Sequence, residues 1–119
     1  MAVLELSQQN FDKTITDNEI IMLDFWAPWC GPCLQFAPTF EKASEQIEGV
    51  VFGKINTEDE QILASRFAIR SIPTLMIFRQ GVGIFSHSGV LSIADINDLI
   101  TKAKELDMEA VRKELHENQ

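Results

Sequence analysis

The sequence predicts an α/β domain: a mixed central sheet of about five strands, covered by helices on both faces and followed by a short helical extension. Residues 20–26 are apolar on both alternating faces, the pattern of a strand buried in the middle of a sheet. A strand-helix-strand order, from there through the helical spacing after Cys33 to residues 50–56, implies a parallel pair. Residues 74–79, the turn residues 80–83 and residues 84–88 read as a β-hairpin, which makes the sheet mixed.

The remaining elements follow in chain order. Residues 3–6 suit a short opening strand, and Ser7 with Asn10, Phe11 and Ile15 reads as a capped short helix ending at Asp17 and Asn18. After the central strand stops at Ala27 and Pro28, Phe36, Ala37, Phe40, Ala43 and Ile47 recur at helical spacing. Pro38 inside that run predicts a kink, and Gly49 closes it. Ile62, Leu63, Arg66 and Phe67 share one face of a short helix. Ser92 and Asp95 form a capping box for a helix whose apolar face is Ile93, Ile96, Leu99, Ile100, Ala103 and Leu106. Beyond it, Val111 and Leu115 keep an apolar stripe. Residues 1–106 are therefore expected to be the domain and residues 107–119 a helical extension without a core of its own.

Composition narrows the function. The chain has 119 residues with 10 Lys and Arg against 18 Asp and Glu, a net charge of −8 that argues against a nucleic-acid partner. With 45% hydrophobic and 24% charged residues it is expected to fold as one soluble globular domain. No stretch approaches the ~18 apolar residues of a membrane helix, and the first residues lack the basic and apolar segments of a secretory signal, so a cytoplasmic location is expected. Its two cysteines fall within four positions, where they close no loop worth stabilising, which points to local chemistry.

Those cysteines stand in Trp29-Cys30-Gly31-Pro32-Cys33, between the end of a buried strand and the start of a helix. Spaced one helical turn apart they can close a small disulfide, and the helix N-terminus favours a thiolate on the first. Cys30 is then the attacking sulfur and Cys33 the resolving one, with Pro32 fixing the turn between them. A structural pair or half of a zinc site is the competing reading. Zinc would need His87 and His116, one on a strand and the other in the tail, and no metal is expected. Both histidines read as solvated, and the glycines at 81 and 83 as a turn rather than a phosphate cradle. Asp24 lies inside an apolar strand, where burial raises a carboxyl pKa; it is either a proton acceptor for Cys33 or a side chain satisfied by local backbone. Lys54, on the neighbouring strand, either modulates Asp24 or is an ordinary exposed lysine. Trp29 in its loop favours partial exposure over core packing, whereas Trp26 is expected to pack beneath the site.

From Asp24-Phe25-Trp26-Ala27-Pro28-Trp29-Cys30-Gly31-Pro32-Cys33, with Pro38, Lys54-Ile55-Asn56, Ile69-Arg70-Ser71-Ile72-Pro73-Thr74 and Gly89, the chain resembles the thioredoxins over residues 3 to 106. The resemblance implies a thioredoxin-like fold and a protein disulfide reductase, since oxidases and isomerases of this fold usually carry His in the turn. It strengthens the proton-transfer role of Asp24 and implies a cis Pro73 facing the disulfide. Trp29, Gly31, Pro32, Ile72, Pro73, Gly89 and Val90 would form the substrate-binding rim. It further implies no bound cofactor, re-reduction by a thioredoxin reductase that draws on NADPH, disulfide-containing client proteins and a monomeric state. Two departures stand out: Leu34 replaces the usual Lys or Arg, removing a positive charge near the thiolate, and Val90 is bulkier than the usual small residue. The competing class is a binding module or co-chaperone of the same fold, in which redox turnover is incidental.

Overall fold

The computed structural model describes residues 3–117. The elements run β1 (Val3–Glu5), α1 (Phe11–Asp17), β2 (Ile20–Trp26), α2 (Gly31–Gln46), β3 (Val51–Asn56), α3 (Gln61–Arg66), β4 (Thr74–Arg79), β5 (Val82–Ser88), α4 (Ile93–Glu105) and α5 (Met108–Glu117). The five strands form one sheet in the order β1-β3-β2-β4-β5. β1, β3 and β2 pair in parallel; β4 and β5 join antiparallel, so the sheet is mixed as the hairpin implied.

Strand alternation sorts the core into two layers. Ile20 and Met22 of β2, Phe52 of β3, and Leu75 and Ile77 of β4 face α2 and α4, where they meet Phe36, Phe40, Ala43, Ile96, Ile100 and Ala103. On the opposite face Ile21, Leu23, Phe25, Ile55 and Phe78 meet Phe11 and Ile15 of α1 and Leu63 of α3. The same alternation puts Asp24 on the α2 side, in step with Ile20 and Met22, and Lys54 beside it, in step with Phe52.

Several boundaries differ from the sequence expectation, each for a local reason. α2 begins at Gly31 rather than Cys33, because Pro32 suits the first turn, where a missing N–H costs nothing. It runs unbroken through Pro38 to Gln46. Asn10 precedes α1 without a side-chain capping bond; its Oδ1 instead accepts the Ser7 N–H at 2.7 Å and closes the turn before the helix. The hairpin turn is tighter than residues 80–83, since β5 already begins at Val82, with Gln80 and Gly81 both at positive φ. The capping box holds: Ser92 Oγ accepts the Asp95 N–H at 3.1 Å.

The end of α4 is secured from the sheet. Arg79 donates to the carbonyl of Ala103 at 2.8 Å, which also accepts the Leu106 N–H at 3.4 Å, and to the carbonyl of Leu106 at 2.6 Å. α5 follows directly, with Met108 buried and Arg112 bonded to Gln80.

Phe40 is buried between the sheet and α2, 5.3 Å from the Phe52 ring centroid and 5.8 Å from that of Phe36. Phe40→Ala is expected to cost about 3–5 kcal/mol, read as a lowered urea midpoint at unchanged slope.

Candidate active site

Residues 27–30 carry the chain from the end of β2 into α2, and Cys30 is the residue that caps the helix. Its backbone is extended (φ −89°, ψ 109°) and its Sγ accepts the Cys33 N–H at 3.2 Å. The cap brings the two Cα atoms to 5.2 Å, and Cys30 and Cys33 are joined as a disulfide. Both sulfurs sit against Ala27, Trp26 and Ile72, with Cys33 only 1% exposed.

Two more segments converge on this junction. The Ile72–Pro73 peptide bond is cis. The Ile72 carbonyl oxygen lies 3.8 Å from Cys30 Sγ, a contact rather than a hydrogen bond because a disulfide sulfur has no proton to donate. Beyond β5, Gly89 turns the chain at φ 112°, where a side chain would be strained, and its N–H reaches the Pro73 carbonyl at 2.8 Å. Around the disulfide Gly31, Pro32, Trp29 and Val90 are exposed, Ile72 and Gly89 are half-buried and Pro73 is buried. Trp29 is 68% exposed. Its indole N–H donates to Glu58 Oε1 at 2.5 Å, so the ring is tied at its polar edge. Glu58 was not among the residues singled out from sequence. It stands 29 positions away in an ordinary polar turn, and no local pattern marks it.

Asp24 is 4% exposed, and its Oδ1 finds no hydrogen-bond donor among the described residues. Satisfaction by local backbone, one of the two readings of this residue, is therefore not what the fold provides for that oxygen. Burial pushes its pKa up to about 7, against a weaker opposing pull from the Lys54 ammonium. Asp24 and Cys33 line one cavity of about 280 Å³, walled also by Trp26, Leu34, Phe40 and Lys54. Lys54 is register partner of Asp24 across the parallel β2–β3 pair. It is half-buried, stands 5.2 Å from the Trp26 ring centroid and 3.8 Å from a Glu5 carboxylate oxygen, so it is not a freely solvated side chain. Trp26 packs under the disulfide as expected. Leu34 points no charge at the site; it is exposed and forms part of the cavity wall.

Comparison with known proteins supplies a family for this arrangement. The Thioredoxin family model matches residues 2–102. The chain belongs to the thioredoxin family. A Streptomyces coelicolor protein that carries the provisional name thioredoxin 2 is 51% identical over 118 residues, 99% of this chain and 88% of that one. The thioredoxin of a Synechocystis strain is 46% identical over 82 residues, 67% of this chain and 77% of its own. Among solved structures, a point mutant of the thioredoxin from Halobacterium salinarum superposes with a TM-score of 0.81 at 33% identity, covering 87% of this chain and 92% of that one. The fold is thus that of thioredoxins, and the protein is a thiol–disulfide oxidoreductase with Cys30–Cys33 as its redox disulfide. α5 lies beyond the family model yet within the length aligned to the Streptomyces protein.

The raised pKa of Asp24 has a consequence for stability. The folded protein keeps a proton that the unfolded chain releases near the ordinary value of 3.8, so stability falls as pH rises from about 4 to about 7 and levels off above. Asp24→Asn removes the buried charge but leaves an amide without an evident partner; it is expected to stabilise by about 2–4 kcal/mol at pH 8 and by little at pH 4. Urea unfolding of both proteins at the two pH values checks this.

Proposed function

We propose that this protein reduces disulfides in client proteins, with Cys30 attacking, Cys33 resolving and Asp24 managing the proton of Cys33. The observation that carries the reading is the Cys30 Sγ at the head of α2, where it accepts the Cys33 N–H and faces the positive end of the helix dipole. In the reduced protein that arrangement stabilises a thiolate on Cys30. The thiolate forms a bond to one client sulfur, and the other client sulfur leaves with the bonding electron pair. Cys33 then loses its proton to Asp24 and attacks Cys30 Sγ, expelling the first client sulfur as thiolate. Two electrons pass from the dithiol to the client, and the intramolecular disulfide is the product.

The burial of each group suits its part. Cys33 and Asp24 are both buried and line the same cavity, which gives the resolving thiol and this carboxyl a shared space. Asp24 titrates at about 7, which leaves it able to accept a proton at neutral pH and return it later. Lys54 holds Asp24 below the pKa that burial alone would impose. Trp29, Gly31, Pro32, Ile72, Gly89 and Val90 give an extended client a surface to lie on, and Pro73 turns the backbone of Ile72 towards the sulfur.

The electrons are returned by a thioredoxin reductase that draws on NADPH, so the nicotinamide is bound by that partner. Electron transfer of this kind belongs to a reducing compartment, the cytoplasm, and the protein acts as a monomer. Among the described residues no helix is long and apolar enough to cross a membrane.

Cys33→Ser is expected to trap clients as mixed disulfides on Cys30, whereas Cys30→Ser traps none and abolishes turnover of a protein disulfide such as insulin. A purely client-holding module would instead keep its clients when both cysteines are changed to serine. In the wild type, release from a preformed mixed disulfide should accelerate through pH 7, and Asp24→Asn should slow it at pH 7.5 by up to ~100-fold.

A further inference from the structure

The cavity that Asp24 shares with Cys33 is closed unevenly. Phe40 of α2, one of its walls, is 2% exposed and belongs to the core. The rim is different. Val3 of β1 is half-buried there, and α2 contributes Leu34 and Ala37, both exposed. Ala37 carries a single methyl group, so Leu34 is the bulky apolar side chain that α2 sets between this cavity and solvent. Its place is fixed by the cap that fixes the cysteines, since the Leu34 N–H donates to the Cys30 carbonyl at 3.1 Å.

Charge reaches the cavity from two elements besides β2. Lys54 of β3 and Glu41 of α2 are the other charged side chains among its described walls, and they are of opposite sign. Lys54 in turn lies 3.8 Å from Glu5 of β1, and β4 sets the fully buried Leu75 opposite Asp24. Residue 34 adds neither a charge nor a hydrogen-bonding group to a space in which Asp24 Oδ1 has no donor among the described residues. Leu34 is 51% exposed and belongs to neither of the two core layers, so packing does not require an apolar residue there. An apolar wall cannot hydrate a carboxylate, and it therefore favours the protonated acid over the ion. A polar side chain at the same place would bring water or a donor to the rim and favour the ion.

We propose that Leu34 is a positioning residue for the exchange reaction: as the apolar rim over Asp24 it keeps water from the carboxyl, and so sets the pH at which Cys33 gives up its proton. The inference rests on the reading of Asp24 as proton acceptor and adds the side chain that tunes it. No bond is made or broken at Leu34; the proton still passes from Cys33 Sγ to the Asp24 carboxylate. Burial holds the Asp24 pKa at about 7, and Leu34 is the part of that burial which one exposed side chain controls.

The test follows the Asp24 carboxyl by carbon-13 NMR in the oxidised full-length protein labelled at its aspartates, with Asp24→Asn to assign the signal. Leu34→Gln and Leu34→Ala are each expected to lower the midpoint by about one pH unit, a tenfold change in the protonation equilibrium. Leu34→Lys is expected to lower it at least as far, because a second ammonium joins that of Lys54. Leu34→Met keeps a flexible apolar cover and should retain the wild-type midpoint. In the same variants, release from a preformed mixed disulfide on Cys30 should accelerate through correspondingly lower pH, with Leu34→Met again as the wild type. A midpoint unmoved by Leu34→Gln or by Leu34→Ala would overturn the role given to Leu34 and leave Asp24 as acceptor untouched. A midpoint that moves while the pH dependence of release stays fixed would instead overturn Asp24 as the acceptor, and with it the consequence for Cys33.

Discussion

The capping of α2 by Cys30 is the constraint on which the rest of the site depends. Because Cys30 is the last extended residue before the helix and Cys33 sits in its first turn, the two sulfurs are brought together by backbone geometry alone. The strand that delivers Cys30 is central, flanked by β3 and β4, so the junction is held on both sides. The sheet's order then brings the Ile72–Pro73 segment and Gly89 to the same edge.

Asp24 shows what the site costs the fold. A carboxyl in step with Ile20 and Met22 breaks the apolar alternation of β2, and one of its oxygens lies buried without a donor among the described residues. Folding alone would favour an apolar side chain there. Burial raises the pKa of Asp24 to about 7, against a weaker opposing pull from Lys54 on the adjacent strand. The apolar layer around it, Phe36, Phe40 and Phe52, offsets that local loss.

Much of this was legible in the sequence, because the signals are local. The doubly apolar run of β2, the helical spacing after Cys33, the Ser92 cap and the cysteine spacing each depend on residues a few positions apart. The placement of Asp24 under α2 also follows from period-two alternation, once β2 is recognised as a central strand. What stayed hidden depends on distant parts of the chain or on fine backbone geometry. The tie between Trp29 and Glu58 joins two separate loops. The start of α2 at Gly31 reflects how readily Pro32 enters a first turn, and the tighter hairpin reflects positive φ at Gln80, a residue that carries no turn signal. The cavity beneath Leu34 is a product of tertiary packing, since its walls come from β1, β2, α2 and β3.

The reduction potential of the Cys30–Cys33 pair tests the central claim most directly. The pure protein is equilibrated in buffers of defined thiol–disulfide ratio, and the fluorescence of Trp26 and Trp29 reports the fraction oxidised. A potential of about −270 mV, that of thioredoxin and well below those of oxidising relatives, is the predicted result. A value between about −180 and −120 mV would identify an isomerase or oxidase and contradict the account, as would a pair that shows no reversible transition.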